Sequence, residues 1–206
     1  MSIIRNVLIT ALLVNTGHAV AASSVDLSVK GTITPSACTP ALSNGGLADF
    51  GKIAAKDLRP TLPTYLPRQD MEFSVTCDGA TLFAIESKDN REGSEYNIDY
   101  YNFGLGLING SEKLGWVGVA MSGPVADGVN VRAIGSRDGG VTWDRESSFM
   151  DDGMSTVAEL NTLVPIPVQR LTTALQVAAG IAPAQNLTLT NEVPIDGSIT
   201  MTVRYL

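Results

Sequence analysis

Acidic side chains are the residues of this 206-residue sequence that could most directly do chemistry. Paired carboxylates hydrolyse glycosidic bonds when they face each other across a cleft. Lys88 and Arg91 are interleaved with the first of two acidic groups, and mixed charge of this kind is typical of a solvated surface. We therefore interpret residues 88–97 as an exposed loop rather than as half of a catalytic cleft. The two groups are Glu86, Asp89, Glu92 and Glu95, and then Asp151 and Asp152.

Most other catalytic chemistry needs a histidine. The one histidine, His18, lies in a segment that is predicted below to be removed on export. The remaining chain therefore has no residue for a Ser-His-Asp or Cys-His nucleophile system or for a histidine-ligated zinc site. A run from Asp138 to Glu146 resembles a calcium loop only weakly, because it lacks the alternating ligand positions of an EF-hand. We predict no enzymatic activity, no cofactor and no metal site.

The first 22 residues have the pattern of a cleavable secretion signal. Arg5 precedes an apolar run at residues 7–14, and small residues at 17–22 follow it. The run is too short to span a bilayer. A buried N-terminal helix is the alternative, but the polar Ser23-Ser24 pair argues against it. We predict a signal peptide over residues 1–22 and a single exported domain over residues 23–206, in preference to two small domains.

The exported chain is acidic. Without Arg5 it carries 13 basic and 21 acidic side chains, which is a formal charge of −8. Nucleic acids and anionic lipids are polyanions, and an acidic surface repels them. We therefore predict no nucleic-acid partner.

The two cysteines, Cys38 and Cys77, both lie in the exported part of the chain. A cysteine pair in an oxidising compartment is interpreted first as a disulfide. Closing a loop of about 40 residues removes chain entropy worth roughly 4 kcal/mol. A metal site is the alternative, but two thiols with no histidine nearby make a poor ligand set.

Alternation of apolar and polar residues predicts β-strands along the chain. It is clearest at residues 25–34, 71–77 and 198–206, and further strands are predicted at 48–53, 81–86, 103–108, 116–121, 129–134 and 187–190. Asp78-Gly79 is interpreted as a hairpin turn, and residues 151–167 show little pattern. Residues 171–182 fit either a helix or a strand, and alternation from Leu175 favours the strand. Many short strands and frequent turns indicate an all-β fold, an antiparallel β-sandwich.

Both ends of the exported chain carry a more specific combination of features. An alternating run with a cysteine at its end occupies residues 25–38, and Ala48–Ile53, Phe73–Cys77 and Thr200–Leu206 accompany it. This combination resembles the subunits of bacterial chaperone-usher fimbriae. Within that group the chain looks most like a family of secreted fimbrial-like proteins of unassigned function. The segments that contribute to this likeness are Asn102–Gly106 and Glu192–Gly197.

The resemblance implies an immunoglobulin-like, pilin-type sandwich that lacks its last strand. The missing strand is supplied by a neighbouring subunit and adds to a hydrophobic groove beside the C-terminal strand. The implied donor segment is about residues 23–33, with Val25, Leu27, Val29, Gly31 and Ile33 facing the groove. Ile199, Met201, Val203 and Tyr205 would line the groove or core. Tyr205 and the carboxylate of Leu206 would face a periplasmic chaperone.

The resemblance also implies a function and a location. The chain would be a structural fimbrial subunit that is exported to the periplasm and assembled at the cell surface. Its partners would be other fimbrial subunits, the chaperone, an outer-membrane usher and a receptor on a host or other surface. The alternative function is a lectin-like adhesin whose loop Asp138–Asp152, with Trp143, contacts a receptor. The alternative for residues 25–33 is an ordinary first strand of the domain's own sheet.

Overall fold

A computed structural model describes Ser28 and residues 37–206. Residues 37–206 belong to one compact unit. The predicted signal peptide and the donor residues Val25, Leu27, Val29, Gly31 and Ile33 lie outside the described residues, so their roles stay predictions. Within the described part of the chain, no helix is long and apolar enough to cross a membrane.

The described residues form fourteen strands and three single-turn 3-10 helices. The helices are Ser43–Gly46, Ala55–Asp57 and Ala184–Asn186. The strands are β1 Cys38–Leu42, β2 Thr64–Tyr65, β3 Gln69–Thr81, β4 Phe83–Asp89, β5 Phe103–Gly104, β6 Leu107–Ile108, β7 Glu112–Lys113, β8 Gly115–Ala126, β9 Val129–Asn130, β10 Arg132–Ser136, β11 Asp144–Arg145, β12 Gly153–Ala158, β13 Val168–Ile181 and β14 Ile199–Tyr205.

Two antiparallel sheets form the body of the domain. Sheet A has the order β1-β3-β13-β8-β5, with β2 added beside β13 and β9 beside β8. Sheet B has the order β11-β10-β12-β4-β14, and β6 pairs with β7 in a separate ribbon. Side chains from both sheets meet in one hydrophobic cluster, in which Phe73, Phe83, Phe103 and Phe149 are fully buried. The predicted all-β antiparallel sandwich is confirmed.

Alternation places one face of each long strand in this core. In β3 the side chains of Met71, Phe73, Val75 and Cys77 are buried, and those between them are exposed or half-buried. The strand prediction from Leu175 is confirmed, and β13 begins earlier than predicted, at Val168. The predicted C-terminal strand is also present as β14.

The predicted hairpin at Asp78-Gly79 is wrong. β3 continues through both residues to Thr81, and its register against β13 shifts between Val168 and Arg170. The shift leaves extra residues on β3, which form a bulge. The chain then passes into sheet B at Leu82, so β3 and β4 belong to different sheets.

Five other stretches differ from the sequence prediction. One is 103–108, which is divided between β5 in sheet A and β6 in the separate ribbon. Residues 48–53 and 187–190 are not strands, because their apolar side chains pack against the core without pairing to a neighbouring strand. Residues 153–158, which show little pattern, form β12 in the middle of sheet B. The predicted strand 129–134 is divided between β9 in sheet A and β10 in sheet B.

Candidate functional site

The outer edge of sheet B is formed by β14. β14 pairs with β4 along its whole length, from Ile199 opposite Asp89 to Tyr205 opposite Phe83. Just beyond its two ends, the carbonyl of Ser198 accepts a hydrogen bond from the Asn90 N–H, and the Leu206 N–H donates to the Leu82 carbonyl. Backbone hydrogen bonds to β4 therefore come from the even-numbered residues of this segment.

The odd-numbered residues of β14 direct their N–H and C=O groups the other way. These backbone groups have no hydrogen-bond partner among the described residues. An open strand edge of this kind is a template for pairing with a further strand. The residues concerned are Ile199, Met201, Val203 and Tyr205, which are the groove residues that the sequence predicted.

Three of these four side chains also form an apolar face. Ile199, Met201 and Val203 are half-buried and pack against the core, whereas Thr200 and Thr202 are exposed. Tyr205 is exposed, and its hydroxyl accepts a hydrogen bond of 3.1 Å from the Cys38 N–H. Within the described part of the chain, the edge of β14 therefore combines unpaired backbone groups with incompletely covered apolar side chains.

The opposite wall of this groove is β1, the edge strand of sheet A. The contact between Cys38 and Tyr205 places the start of β1 beside the end of β14. Cys38 and Leu42 are half-buried and pack against the core, while the three residues between them are exposed. The groove between β1 and β14 therefore has apolar side chains on both walls.

The predicted disulfide is confirmed and fixes the β1 wall. Cys38 and Cys77 are direct partners in the β1–β3 register, and their sulfur atoms are bonded. The bond joins the edge strand β1, which has few buried side chains, to β3. The cysteine in β3, Cys77, is buried. The disulfide therefore holds the groove wall in place.

A cavity of about 740 Å³ lies between the segment that follows β1 and the segment that precedes β14. One of its walls is the segment after β1, which carries the half-buried Phe50 and Ile53. Another is the segment before β14, which carries the half-buried Val193 and Ile195. No sequence pattern described above predicts this cavity, and the signal that indicates it is a set of isolated apolar residues among glycines and prolines.

The segment that leads into β14 is held by an ion pair. The Arg91 guanidinium contacts the Asp196 carboxylate at 2.8 Å and also donates to the Asp196 carbonyl. The Asp196 N–H donates to the Leu105 carbonyl at 3.2 Å. These contacts position residues 193–196 beside the core.

The acidic residues that could do chemistry are tied to the chain around them. Asp89 is 4% exposed and accepts 2.7 Å hydrogen bonds from the N–H groups of Arg91 and Gly104. Burial is the main cause that raises its pKa. The Lys88 ammonium contacts Glu92 and Asp152 at 2.8 and 3.0 Å. The interpretation of residues 88–97 as an exposed loop is wrong at Asp89, which ends β4, and at Ser94. Both side chains are buried, because they accept hydrogen bonds from the backbone N–H groups of Gly104 and Gly106.

The loop at residues 138–152 has its own internal order. The Asp138 carboxylate accepts hydrogen bonds from the Val141 and Thr142 N–H groups and from the Ser136 and Thr142 hydroxyls. These bonds, with that of the Thr142 hydroxyl the strongest, lower the pKa of Asp138 to about 2. Trp143 is half-buried and donates its indole N–H to the Gly140 carbonyl. Among the described residues, no group of three or more possible ligands is arranged for a metal ion.

Comparisons with known proteins find similarity over most of the chain. Residues 27–103 match a family described as "Protein of unknown function (DUF1120)". The chain is 27% identical to Protein GltF of Escherichia coli K12, over 95% of this chain and 94% of that protein. It is 26% identical to the uncharacterized protein YhcF of the same strain, over 90% and 92% of the two chains.

The chain is similar to this family over its first half. The matched region contains both cysteines, the β1 wall of the groove and the strand β4 that pairs with β14. It also contains residues 27–33 of the predicted donor segment. The similarity to GltF and YhcF extends over 95% and 90% of this chain, respectively.

Proposed function

We propose that the protein is a non-enzymatic structural subunit of a bacterial surface fimbria, assembled by donor-strand exchange. The observation that carries the proposal is the open edge of β14. There, backbone groups that have no partner among the described residues lie together with the half-buried side chains of Ile199, Met201 and Val203. A soluble domain normally covers or charges such an edge, and a domain built to receive a strand leaves it open.

The N-terminal segment has the pattern that such a groove accepts. Its apolar residues recur at every second position, and so do the inward side chains of β14. Burying three or four aliphatic side chains contributes roughly 5–12 kcal/mol before ordering costs. Backbone hydrogen bonds to the odd-numbered residues of β14 add to this. In the proposal the donor residues are Val25, Leu27, Val29, Gly31 and Ile33 of a neighbouring subunit.

The same edge needs protection before assembly. An exposed apolar strand edge would otherwise pair with other chains and aggregate. In the proposal a periplasmic chaperone covers β14, with Tyr205 and the Leu206 carboxylate at its point of attachment, and an outer-membrane usher exchanges it for the next subunit. The protein would therefore pass through the periplasm and finish at the cell surface.

Paired charge substitutions in the donor segment test the proposal. Leu27→Asp places a carboxylate on the face that enters the groove, and Ser28→Asp places the same charge on the opposite face. The variants are expressed in the native host, and surface polymers are measured by electron microscopy and by gels of unheated samples. We expect Leu27→Asp to abolish polymers and Ser28→Asp to retain them.

A second pair tests the receiving strand. Met201→Asp is expected to abolish assembly, while Thr202→Asp, one residue along the same strand, is expected to retain it. Retained assembly in both Leu27→Asp and Met201→Asp would contradict donor-strand exchange. Deletion of Ser23–Val29 should leave a chaperone-bound, folded domain that does not enter polymers.

A further inference from the structure

A second concave surface lies on the outer face of sheet A, away from the sandwich core. It is a cleft of about 260 Å³ over β8 and β13. Three cross-strand pairs form its floor. The residues that alternate with them along β8 and β13 face the core. The middle pair, Gly118 opposite Ala178, has almost no side chain, so the floor is low at its centre. The outer pairs are Trp116 opposite Gly180 and Ala120 opposite Gln176.

Gly180 is required by the position of the Trp116 ring. A Cβ atom at residue 180 would lie 2.6 to 2.9 Å from three atoms of the indole. The absence of a side chain therefore lets the indole lie against the β13 backbone. As a result, Trp116 is 8% exposed although it projects from the outer face of the sheet.

Aromatic rings border the cleft on both sides. Tyr65, which pairs with Gly180 through β2, is 71% exposed and meets Trp116 edge-on at 5.8 Å. Tyr96 stacks against the same indole at 6.4 Å. On the other side, the Tyr101 hydroxyl donates a 2.6 Å hydrogen bond to Glu146. Hydrogen bonding therefore holds Tyr101 in place and ring contacts hold Trp116, whereas Tyr65 is largely exposed.

Polar groups with unused hydrogen-bonding capacity lie around the same cleft. Within the described part of the chain, the Arg68 guanidinium and the Gln176 carboxamide have no hydrogen-bond partner. The Asn102 amide nitrogen donates to the Asn97 carbonyl, which leaves the side-chain oxygen of Asn102 as an acceptor. Arg68 is the one charged side chain among the described residues that line the cleft.

We propose that this cleft binds a saccharide ring. A pyranose has apolar C–H faces that pack on aromatic rings, and hydroxyls at its edge that bond to amide and guanidinium groups. The low floor leaves room for such a ring between Tyr65 and Tyr101. The volume of the cleft is below the roughly 300 Å³ at which sites for drug-sized ligands begin. A cleft of this size fits one sugar ring better than a peptide or a cofactor. The formal charge of the exported chain, −8, disfavours a nucleotide.

The saccharide site does not depend on strand exchange. It lies on the outer face of sheet A, whereas the groove lies between β1 and β14, the edge strands of the two sheets. The loop Asp138–Asp152, which the sequence suggested as a receptor contact, supplies Ser148 to the cleft and holds Tyr101 through Glu146, but its Trp143 does not line the cleft. A subunit could therefore bind a glycan while its groove is filled.

Fluorescence of the cleft's own tryptophan tests the proposal. The chain has two tryptophans, so Trp143→Phe leaves Trp116 as the single indole. The exported protein carrying Trp143→Phe is titrated with the methyl glycosides of glucose, galactose, mannose, N-acetylglucosamine and glucuronic acid. We expect at least one of these probes to change the Trp116 emission saturably at millimolar concentration.

Two matched variants locate the binding. Ala178→Leu fills the centre of the floor and is expected to weaken binding at least tenfold. Ala174→Leu makes the same change four residues along β13 on the same face, outside the cleft, and is expected to leave binding unchanged. Circular dichroism confirms that both variants are folded, and Arg68→Met, at an exposed position, provides a further variant that is expected to weaken binding several-fold.

The proposal is overturned if none of the five glycosides binds saturably. It is also overturned if Ala178→Leu binds as tightly as Ala174→Leu, or if Ala174→Leu loses binding to the same extent. The strand-exchange variants Leu27→Asp and Met201→Asp should bind the glycoside normally, so failure of one proposal is distinguishable from failure of the other.

Discussion

The disulfide between β1 and β3 allows a quantitative test of how the groove wall is held. Cys38 and Cys77 are 39 residues apart in sequence, and closing a loop of that length stabilises the folded chain by about 4 kcal/mol through the entropy of the unfolded state. β1 itself buries little, since Thr39, Pro40 and Ala41 are exposed. We therefore expect the double variant Cys38→Ala/Cys77→Ala to lose about 4 kcal/mol in free energy of unfolding and to release β1 locally.

Two measurements on the exported protein check this expectation. Urea unfolding followed by circular dichroism gives the change in free energy. Amide hydrogen exchange gives the local effect: the N–H groups of Thr39 and Ala41 should lose protection in the variant before those of β3 do. Reduced wild-type protein is the control for the two substitutions, because Cys77 is buried and its replacement also removes packing.

A loss of less than about 1 kcal/mol with β1 still protected would refute the reasoning. It would mean that the backbone pairing of β1 with β3 is sufficient to hold the wall. A large loss in the double variant, with none in the reduced wild type, would instead assign the effect to packing at Cys77.

Three further predictions follow from individual side chains. Phe73→Ala, at a position 1% exposed between the two sheets, should lower the free energy of unfolding by about 3–5 kcal/mol in urea titrations; a loss under about 1 kcal/mol would contradict the core assignment. Burial raises the pKa of Asp89, so the folded chain binds the proton of this carboxyl group more tightly than the unfolded chain does. Stability should therefore fall as the pH rises from 3.8 towards the raised pKa. Thermal unfolding at several pH values measures this dependence, and Asp89→Asn should abolish it. The pKa of Asp138 is lowered to about 2, so its contribution to stability is present above pH 3.8 and is lost as the pH falls towards 2. An NMR titration midpoint near pH 4 for this carboxylate would contradict the hydrogen-bond network around it.

The sequence predicts those strands that have one face in the core and one in solvent. β3 and β14 are of this kind, because Phe73 and Val75, or Met201 and Val203, alternate with polar residues. β12 is different, since Ser155, Thr156 and Val157 are all buried and leave no alternation to detect. Its small polar residues give no strand pattern in the sequence, and only the packing of the sheet places this segment as a central strand.

The candidate sites differ in the same way. The groove residues of β14 are predictable because they occupy alternate positions of a single strand. The cavity walls at Phe50 and Val193 are not, because burial there occurs without strand pairing. The saccharide cleft depends on Trp116 lying opposite Gly180, and this register between distant strands is set by long-range pairing that no local pattern encodes.

The open edge of β14 also limits how subunits could be spaced. Only every second residue offers its backbone groups to a new strand, and the apolar side chains of that strand must face the same way. A slip of one residue would turn the incoming apolar side chains to solvent, so the allowed positions differ by two residues, or roughly 6.6 Å along the strand. If strand exchange builds a polymer of this protein, its axial repeat is therefore quantised, and insertions in the N-terminal segment should change that repeat in steps and not continuously.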